Sequence, residues 1–159
     1  MLKYITIFLV LAGQAQALSC MQPSIAGSYA QAAQAEESYV IWLGTFTFDQ
    51  ATLPKRAVEN TNPPDTLIPA RFTGHAFNGR AFEAPIDRAL TINAQCFGPW
   101  CSFMESGTFG MAFVELTDAG PVLSLSPCGG AFFQEPTTVQ IEQVAICHEG
   151  GFCSPSTDG

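Results

Sequence analysis

The side chains able to do chemistry in this chain are six cysteines and two histidines, set among 14 carboxylates. A nucleophilic site needs a Cys or Ser beside a His base and an orienting acid. His148 lies inside CHEGGFC, directly beside a cysteine, and His75 alternates with Thr73 and Phe77 as in a strand. Both read as structural or simply exposed, and no G-x-S-x-G elbow is present. Carboxylates such as Glu36-Glu37 read as a solvated helix face, not as an acid–base pair. Gly129-Gly130 and Gly150-Gly151 read as turns, not as a phosphate cradle. No catalytic residue and no cofactor is expected.

The cysteines are Cys20, Cys96, Cys101, Cys128, Cys147 and Cys153. A structural zinc site would call for C-x-x-C-type spacing, and so would a typical redox dithiol. The close pairs here, CFGPWC and CHEGGFC, are spaced more widely, which favours disulfides over metal. An even count fits a disulfide framework, although the sequence does not choose among the pairings. Local bridges in the two close pairs would leave Cys20 to join Cys128. CFGPWC also presents Phe97 and Trp100 on a loop that Pro99 and a Cys96–Cys101 bridge would stiffen. Stiff aromatic loops lose little entropy on binding, so Phe97 and Trp100 are the candidate ligand contacts. The reading preferred over this one is that Trp100 folds back as a lid on the barrel.

The N-terminal segment tells where such cysteines would oxidise. Lys3 precedes an apolar run from Ile5 to Ala12, followed by Ala15-Gln16-Ala17. That run is shorter than the roughly 20 residues a membrane helix needs. With the small-x-small triplet it reads as a signal peptide over residues 1–17, cleaved after Ala17. Cys20 follows closely enough for lipidation to be an alternative, but no large aliphatic residue stands three positions before it. The mature chain, residues 18–159, is expected to be one secreted or periplasmic domain without a membrane span. It keeps five cations (Lys55, Arg56, Arg71, Arg80, Arg88) against all 14 carboxylates. That balance repels nucleic acid and anionic membrane surfaces.

The elements that must position these residues are mainly strands. Residues 24–37 carry a weak helical stripe of Ile25, Tyr29, Ala32 and Ala33, with Ser24 or Ser28 as cap. Tyr39 to Asp49 reads as a long strand with Val40, Trp42, Phe46 and Phe48 on one face. Its first half is apolar on both faces and should be covered on both. Pro54 to Pro69 reads as a long loop. Asn78-Gly79 predicts a two-residue type I′ hairpin turn, and Leu90, Ile92 and Ala94 mark a half-buried strand. A second hairpin is expected around Asp118-Ala119-Gly120. Thr137 and Gln140 stand at capping-box spacing before a short C-terminal helix. The expected fold is mainly β: a small OB-like Greek-key barrel with a short N-terminal and a short C-terminal helix, stapled by disulfides.

The order of these parts resembles the netrin-like domain, the OB-fold module of tissue inhibitors of metalloproteinases. The resemblance spans nearly all of residues 18–159. It rests on Cys20 near the new N-terminus, Tyr39 to Thr47 as first strand, Cys101 before the late hairpin, and Cys128 straight after it. It implies a five-stranded barrel with its N-terminal segment tied on by a disulfide. In those inhibitors a free N-terminal cysteine chelates the target's zinc. Here Leu18 would come first and the C-x-C start is missing, so chelation does not transfer. The expected function is a non-catalytic binding module for a protein or small ligand. A metalloproteinase-inhibitor-like protein and a thiol redox protein are the alternatives.

Overall fold

The computed structural model describes residues 20–55 and 63–153. The expected signal peptide, its expected cleavage point after Ala17 and the middle of the proline-rich loop lie outside the described residues. Helix α1 (Ile25–Gln34) starts where Ser24 accepts a hydrogen bond from the Gly27 amide, satisfying one of the free donors at the helix start. Strand β1 (Ser38–Phe48) follows, then a 3-10 turn over Gln50–Thr52. The barrel continues through β2 (Thr66–Phe77) and β3 (Phe82–Ala94). A two-stranded ribbon, β4 (Cys96–Phe97) and β5 (Trp100–Cys101), precedes β6 (Phe109–Thr117) and β7 (Gly120–Leu125). Short β8 (Phe132–Gln134) leads to α2 (Thr138–His148), where Thr137 and Gln140 form the reciprocal capping box.

The main sheet runs β1-β2-β3-β7-β6-β8, and β1 pairs again with β6. That second pairing closes five strands into a barrel. All contacts around it are antiparallel except β3 with β7, from Thr91 opposite Val122 to Ala94 opposite Leu125. A meander of three strands closed by a late hairpin is the OB-like Greek-key arrangement. Closure leaves β1 no free edge, which suits its uninterrupted apolar first half.

The alternation of β1 divides the apolar residues between two cores. Trp42 and Phe46 point into the barrel with Ile68, Phe72, Ile92 and Leu123. Phe72 stacks on Trp42 at 4.8 Å and meets Phe46 at 4.7 Å. Ile41 points outward, where Met111 and Phe113 of β6 join Ile25 of α1 and Val144 of α2. The helices thus cover the outer face that the sequence required to be covered. Burying each of these side chains contributes about 1.5–3 kcal/mol.

Two local expectations are corrected. The Asn78-Gly79 hairpin joins β2 to β3, but through four residues, not two. Asn78 is not at positive φ; its side-chain oxygen instead accepts from the amides of Arg80 and Ala81, both at 2.9 Å. An Asx turn of this kind supplies the reversal that a type I′ turn would have supplied, leaving only Gly79 at positive φ. The proline-rich loop also ends early: Thr66 to Pro69 already belong to β2, with Pro69 opposite Thr91. The hairpin at Asp118-Ala119 forms as expected, with Thr117 paired to Gly120.

Candidate functional site at the disulfide ribbon

After β3 the chain leaves the barrel through Gln95, whose amide bonds the Leu125 carbonyl at 2.9 Å. It returns at Ser102, whose amide bonds the Gln95 carbonyl at 2.8 Å. Between these anchors Cys96 pairs with Cys101 and Phe97 with Trp100. The reversal falls on Gly98-Pro99, with Gly98 at a φ of 58°. Positive φ at the first central position and a proline at the second suit a II′-type reversal. The Cys96–Cys101 disulfide then locks the ribbon.

This ribbon faces the 3-10 turn. Gln50 donates to the Met104 carbonyl at 3.0 Å, and its side-chain oxygen accepts from the Ser106 amide at 2.6 Å. Ser106 in turn bridges both backbone groups of Phe48, so the turn and the return segment are clamped together. Leu53 is buried in the barrel core beside Met104. The Cys101 sulfur lies 3.5 Å from the Lys55 carbonyl oxygen, a contact between ribbon and turn. Cys20 and Pro127 complete the rim, and the Cys20–Cys128 disulfide holds them to the barrel.

The result is an open groove of about 660 Å³. Trp100 and Phe103 are its aromatic members, 37% and 77% exposed. Among the described residues Lys55 is its only charged member, and none of those lining it is a carboxylate. Ser102 also lines it; it is 4% exposed, and its hydroxyl has no hydrogen-bond partner among the described residues.

The sequence singled out Phe97 and Trp100, and the structure separates them. Trp100 belongs to the groove, whereas Phe97, its ribbon partner, is exposed outside it. Trp100 is in neither core cluster. The side chain this segment sends into the barrel is Met104, 2% exposed. Sequence reasoning missed Lys55, Ser102 and Phe103, which share no motif. Phe103 alone had a signal, a large aromatic next to a methionine that turns inward.

The two histidines do not belong to the groove. His75 is exposed on β2. His148 shares a hydrogen bond of 2.9 Å with the Tyr29 hydroxyl and packs edge-on to Phe77, joining α2 to α1 and the first hairpin. The third disulfide, Cys147–Cys153, secures the end of α2. Among the described residues no cysteine is free and no group of His, Cys, Asp or Glu is placed to hold a metal ion. No helix among them is long and apolar enough to cross a membrane. Three disulfides are compatible with an extracellular or periplasmic protein.

Comparison with known protein families, curated proteins and solved structures finds no match.

Proposed function

We propose that this chain is a non-catalytic binding module that works outside the cytoplasm, with the groove beside the disulfide ribbon as its ligand site. The observation that carries this is the construction of the groove. Two of the three disulfides brace its walls, while its aromatic side chains remain exposed. A wall held by covalent bonds loses little entropy on binding, which is where exposed aromatics are most effective. The closed barrel, the parallel β3–β7 contact and the bridge from Cys20 to the residue region after β7 support a netrin-like assignment.

A site-specific photocrosslinker tests the location. Installed at Phe103, it should yield adducts in the exporting compartment, and installed at Val139 on α2, also exposed, it should not. Adducts from both positions, or from neither, would remove the groove as the binding site.

The metalloproteinase-inhibitor alternative has one observation in its favour: Cys20 lies exposed on the groove rim. It requires that Cys20 be the first residue of the mature chain. Intact-mass measurement decides it, since a chain beginning at Leu18 has no free amine at Cys20.

A further inference from the structure

We infer that the groove takes a small apolar molecule carrying one negative charge, with its body against Trp100 and Phe103 and its anionic end at Lys55. This ligand class rests on the groove being the binding site proposed above. Size comes first. A concavity of about 660 Å³ lies within the roughly 300–1,000 Å³ typical of small-molecule sites. Its lining is apolar for most of its extent, through Leu53, Pro54, Pro99, Trp100 and Phe103.

Charge then selects the ligand. The chain carries 14 carboxylates against six cations, yet the described groove residues include one lysine and no acid. Among the described lining residues the one charge is positive, which favours an apolar anion over a cation. The net negative charge opposes approach only at long range, because salt screens charges beyond about 8–10 Å. At contact Lys55 dominates, and its flexible stem lets the ammonium follow the ligand.

Two dyes with the same aromatic body test this. 8-Anilinonaphthalene-1-sulfonate carries a sulfonate, and N-phenyl-1-naphthylamine lacks it. Both are titrated into the disulfide-intact protein and followed by their own emission at low ionic strength. Each should bind saturably, and Trp100→Ala should weaken both by about tenfold or more. Phe103→Ala should weaken both as well; at 77% exposure that side chain bears little on folding, so this variant guards against a misfolded Trp100→Ala protein. Lys55→Gln should weaken only the sulfonate dye, by about threefold, as exposed charge pairs do. Added salt should have the same selective effect on the wild-type protein.

If Lys55→Gln leaves the sulfonate dye unaffected, or weakens both dyes equally, the anionic ligand class is overturned while the groove survives. If neither dye saturates, or if neither aromatic variant weakens binding, the groove itself fails as the site and the ligand class fails with it.

Discussion

Trp42 and Trp100 are the chain's two tryptophans, and they occupy opposite situations. Trp42 is 1% exposed and stacked on Phe72; Trp100 stands at 37% on the groove rim. Trp42→Ala should therefore cost about 3–5 kcal/mol through lost burial and a residual cavity. Trp100→Ala should cost less, about 2 kcal/mol, because the side chain is partly exposed and belongs to neither core cluster. Urea titration of the two variants measures both, and a loss above 3 kcal/mol at Trp100 would make it a structural lid after all. Ser102→Ala should be neutral or stabilise by up to about 1 kcal/mol, because it removes a buried hydroxyl that has no partner in the described structure. The same titration checks it. On the barrel exterior, Arg71 lies 2.7 Å from Asp87 in a diagonal cross-strand pair. The hydrogen bond from Arg71 holds the Asp87 carboxyl below its ordinary value, with further help from the charge of Arg71 and the Thr73 hydroxyl, and burial opposing. A depressed folded-state value means that this pair favours the fold above the ordinary carboxylate range and ceases to do so as pH falls through the folded value. NMR titration of Asp87 should show the low value, and Arg71→Gln should return it towards normal.

At the scale of elements, the barrel depends on a row of glycines that no motif announces. Gly74, Gly44 and Gly110 stand opposite one another on β2, β1 and β6. A side chain at Gly44 would collide with the backbone of Thr73 and Gly74, and one at Gly74 with that of Leu43 and Gly44. At Gly110 it would meet the ring of Phe132. Removing Cβ atoms along a row lets neighbouring strands approach and coil tightly, as closing a small barrel requires. Gly44→Ala should cost about 2 kcal/mol or more, since backbone cannot move aside as a flexible side chain can. Thermal or urea unfolding measures this, and a loss within 0.5 kcal/mol would show that the row is not needed for closure. The elements themselves were legible: β1, the late hairpin and both helices follow from alternation and capping residues. The four-residue Asn78 turn was not, because Asn-Gly supports both an Asx turn and a type I′ turn, and the register of β2 with β3, which shifts between Ala76 and Phe77, is not written in the turn residues.

For the whole molecule, the long bridge matters most. Cys20–Cys128 spans 108 residues, so it restricts the unfolded chain far more than the two local bridges do. Replacing both cysteines by alanine should cost about 2–4 kcal/mol and loosen the groove rim, where Cys20 lies. Urea unfolding of the variant checks the first effect. Alkylation of the denatured, unreduced wild-type protein should label no thiol, and two or more labelled cysteines would refute the framework. From sequence alone came the alternation of the strands, the two helix caps, the even cysteine count and the two close cysteine pairs. These depend on backbone sterics and hydrogen bonds among residues a few positions apart. The groove was decided only by the tertiary structure. Cys20, the 3-10 turn with Lys55, the Trp100–Phe103 segment and Pro127 are distant in sequence and meet only once β1 has paired with β6 and the barrel is closed. No local period encodes that meeting, because the side chains that form the site answer to the closure of the sheet and not to their neighbours in the chain.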